Sequence, residues 1–284
     1  MGFTTLISAA ALALHLEDPA FVVVDCRFKL DDPAWGEEQH RSRHIPGSVY
    51  ANLDRDLSAA KTGTNGRHPL PEVDTFARTV GRLGIGEGVQ VVAYDQDSGM
   101  FASRLWWMLR WLGHDAVAVL DGGFNQWMIE GRPTAAGVET RPAAMFTPHV
   151  RSDMLVDVAA VEALTASRRA TLVDARAPQR YRGEVEPLDR VAGHIPGARN
   201  HFFQHNLDEQ GRFHTPEELR SRFREVVGGT APHDIVCYCG SGVTACHNLL
   251  ALEHAGIKGA RLYAGSWSEW SADPARPVAT STKT

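Results

Sequence analysis

Apolar positions along the chain follow two rhythms. Short runs rich in β-branched side chains, FVVVD at 21–25, VVAY at 91–94, TLVD at 171–174 and IVCY at 235–238, are continuous enough to be strands buried on both faces. Between them lie longer segments in which apolar residues recur every three or four positions: TFARTVGRLG (75–84), FASRLWWMLRWLG (101–113), ELRSRFREVV (218–227) and VTACHNLLALEHAG (243–256). That spacing predicts amphipathic helices. The tryptophans at 106, 107 and 111 fall on one of these and are read as core packing. A first helix is expected from Thr4 or Thr5 onward. Strands alternating with helices predict an α/β fold with a central, mostly parallel sheet covered by helices.

The pattern occurs twice. VVVDCR (22–27) returns as TLVDAR (171–176), RHIPGS (43–48) as GHIPGA (193–198), VVAYDQDSG (91–99) as IVCYCGSG (235–242), and LDGGFNQW (120–127) as LYAGSWSEW (262–270). The repeats stand half a chain apart, far beyond a solenoid period, so they mark a duplicated domain. TAAGVETRPAAMFTPHV (134–150) has neither rhythm and reads as a linker. The expected division is an N-terminal domain over 1–135, a linker over 136–152 and a C-terminal domain over 153–284.

Composition narrows the functional classes. The chain has 284 residues, 43% of them apolar and 22% charged, with a formal net charge of −5. This is the make-up of a globular protein without the basic surface that nucleic acid requires. No apolar run is long enough for a bilayer, and the apolar N-terminus lacks the preceding basic residues of a secretory signal, so neither a membrane nor a nucleic-acid partner is expected and the compartment is read as cytoplasmic. The four cysteines, Cys26, Cys237, Cys239 and Cys246, do not have the layout of a disulfide framework. They lack paired zinc knuckles as well, and no metal is expected.

Cys239 ends a predicted strand and is followed by Gly240-Ser241-Gly242 and then a helix. In an open α/β sheet such a turn lies at the carboxyl edge where ligands bind, with backbone N–H groups and the helix dipole aimed inward. A thiolate is stabilised there, which makes Cys239 a candidate nucleophile. The alternative is a small buried hydrophobe, the reading adopted for Cys26, Cys237 and Cys246. In the first half the equivalent position is Asp95, which cannot do thiolate chemistry. One reactive copy and one non-catalytic copy are therefore expected.

These features together, the duplicated halves, the paired HIPG segments, Asp95 opposite Cys239 and CGSGVTA at 239–245, resemble the two-domain rhodanese-type sulfurtransferases, over the chain from about Leu6 to Val278. The loop is similar to that of their 3-mercaptopyruvate branch. The resemblance implies two tandem rhodanese-like domains, no cofactor, and transfer of a sulfane sulfur from a small-molecule donor through a Cys239 persulfide to cyanide, a thiol such as glutathione, or thioredoxin. It implies that the backbone at Gly240, Gly242, Val243 and Thr244 cradles the sulfur anions and that Arg180, in DARAPQRYRGEVEP (174–187), binds the donor carboxylate. Ser241 with His68 of GRHPLP and Asp54 of NLD would move a proton. Relatives carry a second donor arginine before the second HIPG. Here the candidate is Arg190, displaced by about three residues.

Donor choice is read from loop charge. Thiosulfate-preferring relatives have an Arg-Lys pair after the cysteine, whereas Gly240-Ser241 is neutral and suits a monoanionic α-keto acid. Thiosulfate:cyanide sulfurtransferase activity is the alternative, and a non-catalytic persulfide carrier is the second. A phosphatase with this loop would need an arginine at the loop's end, which CGSGVTAC lacks.

Overall fold

In a computed structural model, described for residues 2–167 and 169–281, the chain forms two compact units. The first comprises the chain up to Ala59, Leu70–Arg151 and Glu209–Phe213. The second comprises Ala60–Pro69, Ser152–Asp208 and the chain from His214 on. Each unit therefore borrows a short segment from the other half of the sequence.

In the first unit the elements run β1 (Leu6–Ile7), α1 (Ala9–Ala13), β2 (Phe21–Asp25), α2 (Trp35–Ser42), β3 (Val49–Tyr50), α3 (Val73–Arg82), β4 (Gln90–Tyr94), α4 (Ala102–Trp111), β5 (Val117–Leu120) and α5 (Gly123–Ile129). The five strands pair in the order β1-β5-β4-β2-β3, all parallel. β4 is buried along its whole length, as its β-branched run predicts, and α4 buries Trp106, Trp107 and Trp111. The helix expected from Thr4 or Thr5 begins only at Ala9. Leu6 and Ile7 are claimed first by pairing with Val119 and Leu120, and the Ser8 hydroxyl then caps the helix by accepting from the Ala11 N–H. Residues between 137 and 150 contain neither strand nor helix, yet they are pinned by backbone bonds such as Ala144 N–H to Gly81 O (2.9 Å) and His149 N–H to Leu112 O (2.8 Å).

The second unit repeats the plan: β6 (Leu155–Val156), α6 (Val158–Ser167), β7 (Thr171–Asp174), α7 (Pro178–Arg182), β8 (Arg199–Asn200), α8 (Pro216–Val227), β9 (Ile235–Tyr238), α9 (Thr244–His254), β10 (Arg261–Tyr263) and α10 (Ser266–Trp270). Strand order is β6-β10-β9-β7-β8, again parallel. Register is conserved between the copies, with Asp25 opposite Tyr94 and Asp174 opposite Tyr238. A full capping box starts α8, where Thr215 and Glu218 satisfy each other's backbone N–H groups ahead of Pro216.

α9 is buried from Ala245 to Leu252, polar side chains included. His247 and Asn248 are satisfied by Asn206, whose amide nitrogen lies 3.1 Å from His247 Nδ1 and donates to Asn248 Oδ1 at 2.8 Å, while its oxygen meets His201 Nε2 at 2.9 Å. This closed network fixes the helix to the turn at Phe203–Asn206. Among the described residues, no helix is long and apolar enough to cross a membrane.

Candidate active site

β9 delivers Cys239 to the carboxyl edge of the second sheet. The Cys239 carbonyl accepts from the Trp267 N–H and the Gly240 carbonyl from the Ser268 N–H, both at 3.0 Å, and the Cys239 N–H donates to Ser266 Oγ at 3.1 Å. The loop is thus laced to the start of α10. Ser266 holds φ +55, the one non-glycine in the left-handed region among the described residues, and its hydroxyl also donates to Tyr263 O at 2.9 Å.

Within this frame the thiol folds back over its own loop. Sγ accepts the N–H groups of Ser241 (3.4 Å) and Gly242 (3.1 Å), which form a small anion-binding nest at the entry to α9. The turn needs Gly242, since its φ is +78 and a Cβ would stand 2.4 Å from the Ala264 carbonyl oxygen. Val243 and Thr244 open the helix behind it. Cys239 is only 2% exposed. Cys237 and Cys246 are fully buried, and burial pushes the Cys237 thiol well up from its ordinary value, out of the thiolate range at neutral pH. The Cys246 thiol donates to Gly242 O at 3.2 Å.

Ser241 Oγ and His68 Nδ1 share a hydrogen bond of 2.7 Å, both residues being buried. His68 reaches the loop because Ala60–Pro69 is part of the second unit, where the Arg67 N–H donates to Ser268 Oγ at 3.0 Å. Asp54 lies in the first unit, half-buried, with its N–H accepted by Asn52 Oδ1 at 2.9 Å.

Arg180 projects from α7, which Pro178 starts. Glu186 holds it through Nε (3.2 Å) and Nη2 (2.6 Å), and Asp189 accepts from the same Nη2 at 3.3 Å. Arg176, behind it, forks onto Asp174 at 3.1 and 2.6 Å, donates to Glu186 Oε2 at 3.2 Å and to Gly193 O at 2.7 Å; Asp174 and Glu186 hold its guanidinium more firmly protonated than usual. Burial opposes that shift.

The structure therefore gathers Cys239, Gly240, Ser241, Gly242, His68 and Arg180. Arg190 is exposed and lines a cavity of about 230 Å³ together with Lys61, Arg67 and Asp189. The two guanidinia that border Gly240 are those of Arg180 and Arg67. Arg67 was not singled out from the sequence, and the only signal for it was its place beside His68 in GRHPLP. Among the described residues, no group of three His, Cys, Asp or Glu side chains could hold a metal ion.

The rhodanese-like domain family matches residues 8–130 and 157–273. A probable 3-mercaptopyruvate sulfurtransferase of Pseudomonas aeruginosa is 47% identical over 282 residues, 99% of each chain. A putative thiosulfate sulfurtransferase of Mycobacterium tuberculosis is 38% identical, across 98% of this chain and 97% of its own. The solved 3-mercaptopyruvate sulfurtransferase of Leishmania major superposes with a TM-score of 0.83 at 31% identity, covering 94% of this chain and 74% of that one. The chain belongs to the two-domain rhodanese-type sulfurtransferases.

Proposed function

We propose that the protein moves sulfur from 3-mercaptopyruvate to a thiophilic acceptor, with Cys239 as the nucleophile of the C-terminal domain and the N-terminal domain, carrying Asp95, as the non-catalytic copy. The observation that carries this reading is the Cys239 sulfur held by two backbone N–H groups in a neutral loop whose serine is hydrogen-bonded to His68.

The Cys239 thiolate attacks the mercapto sulfur, forming an S–S bond as the C–S bond breaks. The released electron pair departs as pyruvate enolate, which takes up a proton to become pyruvate. Ser241 and His68 carry the proton away from the mercapto group, a role in which Asp54 completes the trio named above. Arg180 holds the donor carboxylate. The N–H groups of Ser241 and Gly242 carry the persulfide anion, with the backbone of Gly240, Val243 and Thr244 completing the cradle. An acceptor such as cyanide, glutathione or thioredoxin then attacks the outer sulfur and restores the thiolate, giving ping-pong kinetics. A cytoplasmic setting, where such thiols are reduced, fits this acceptor chemistry.

The test is intact-protein mass spectrometry after incubation with 3-mercaptopyruvate or thiosulfate, followed by steady-state turnover with cyanide. A one-sulfur gain from 3-mercaptopyruvate that vanishes in Cys239→Ser is expected. A higher specificity constant for thiosulfate would replace the 3-mercaptopyruvate reading. That second reading is favoured by one observation, the pair of guanidinia bordering Gly240, which also suits a compact dianion. A persulfide passed only to one protein partner, without small-molecule turnover, would indicate a carrier.

A further inference from the structure

Gly240 poses a question its backbone does not answer. Unlike Gly242 it is not in the left-handed region, so its conformation is open to any residue. What excludes a side chain is space: a Cβ there would stand 2.7 Å from Arg67 Nη2 and 3.4 Å from both terminal nitrogens of Arg180. Glycine lets two guanidinia pack closely against the loop, next to the nucleophile.

Both guanidinia are held from behind. Asp189 bridges them, Oδ1 accepting from Arg67 Nη1 and Oδ2 from Arg180 Nη2, and Glu186 takes the Nε and Nη2 of Arg180. Asp189 and Glu186 are almost completely buried, with side chains 5% and 3% exposed, so they are fixed anchors. The edges left over are Arg67 Nη2 and Arg180 Nη1, and among the described residues neither donates a hydrogen bond. Two unspent charged donors, from arginines 113 positions apart in the chain, therefore converge on Gly240, beside Cys239. Lys61 and Arg190 line a cavity that shares Arg67 and Asp189 with this cluster, and they add positive charge to it.

We propose that Arg67 is the second donor-binding arginine of this site, forming with Arg180 a two-sided clamp for the carboxylate of an α-keto acid and taking the part that relatives give to an arginine before the second HIPG. This rests on the reading that such an acid is the donor. Arg67 supplies from outside the loop the charge that Gly240-Ser241 lacks. The clamp acts on binding and orientation, while the sulfur chemistry stays with Cys239.

Two measurements on the full chain test it. The first reads binding without turnover: protection of Cys239 from iodoacetamide by pyruvate, which carries the carboxylate and no sulfur. Protection is expected in the wild type, weakened about tenfold or more in Arg67→Met and partly restored in Arg67→Lys, the scale of one charge-assisted hydrogen bond. The second is turnover of 3-mercaptopyruvate, in which Arg67→Met raises KM by the same factor and leaves kcat within about threefold. Thermal melts show whether each variant is folded, and if Arg67→Met is not, Gly240→Ala displaces the two guanidinia from the loop and is expected to weaken protection equally. Unchanged protection and KM in Arg67→Met would overturn the proposal, as would no protection in the wild type or a loss found in Arg190→Met but not in Arg67→Met. A wild type that shows Arg67-dependent protection but gains no sulfur from 3-mercaptopyruvate would sink the donor assignment and leave the clamp standing.

Discussion

After Tyr94 and after Tyr238 the chain makes the same move, from the end of a central strand into a glycine-bearing loop and then a buried helix. The two loops treat the group at their base differently. Asp95 accepts N–H groups from Gly99 (2.9 Å), Asp97 (3.3 Å), Phe101 (2.7 Å) and Ala102 (3.1 Å), and burial nevertheless raises its pKa to about 6. Cys239 presents one sulfur to two N–H groups. A carboxylate with two oxygens ties the loop to its helix through four N–H groups, whereas the single sulfur is held by two. The fold supplies the same amide-lined turn twice, with a carboxylate at its base in one copy and a thiol in the other.

Several substitutions probe that contrast. The largest effect is expected at the base itself: Cys239→Ser should lower sulfur transfer by about 10³-fold or more, whereas Asp95→Asn should leave turnover within about twofold and cost roughly 1–3 kcal/mol of stability, because the amide has one acceptor oxygen in place of two. Steady-state rates and thermal melts on both variants decide it, and an inactive Asp95→Asn protein that remains folded would break the division of roles. Next come the glycines closing each loop. Gly242 and Gly99 have nearly equal φ, +78 and +77, but an added Cβ would lie 2.4 Å from a backbone oxygen at Gly242 and 3.3 Å from the Val119 side chain at Gly99. Gly242→Ala should therefore cost about 3 kcal/mol or more and Gly99→Ala about 1, by urea titration.

Ser241 and Ser98 each precede those glycines. Ser241→Ala is expected to lower kcat with 3-mercaptopyruvate by about tenfold, with a smaller change for thiosulfate, which has no mercapto proton to lose; Ser98→Ala should not separate the two donors. A further contrast lies in the pH dependence of stability. Asp95 has its folded pKa raised from 3.8 to about 6, so its contribution is fully present below pH 3.8 and lost as pH rises through 6. His201, buried in the second unit, has its folded pKa lowered from 6.5 to about 4, so its contribution is present above 6.5 and lost as pH falls through 4. The two slopes oppose each other. Relative to the wild type, urea titrations between pH 4 and 6.5 should show a slope shifted toward stability rising with pH in Asp95→Asn and toward stability falling with pH in His201→Gln; shifts of the same sign in both would refute the assignment.

The duplication, the strands and the Cys239 loop were legible because they rest on local signals: apolar period, glycine placement and internal repetition. The start of the first helix was not, since Leu6 and Ile7 join β5, a partner more than a hundred residues away, before Ser8 can cap. Asp95 could be matched to Cys239 by aligning the halves, but its bonds to Phe101 and Ala102 depend on how that loop meets α4. Arg67 was the least legible. Position 67 reads as an ordinary loop residue until Ala60–Pro69 is seen to pack in the second unit, with Gly66, at φ +85, close enough to Gly265 that a Cβ would meet its carbonyl oxygen at 2.9 Å.

That ten-residue segment bears on inheritance as well as on chemistry. A tandem duplication begins as two copies that could in principle be separated again by a cut in the linker. Here the cut would leave His68 and Arg67 on one fragment and Ser241 and Cys239 on the other. Once a loop of the first half had become part of the second unit, the pair could no longer be inherited or lost as independent modules.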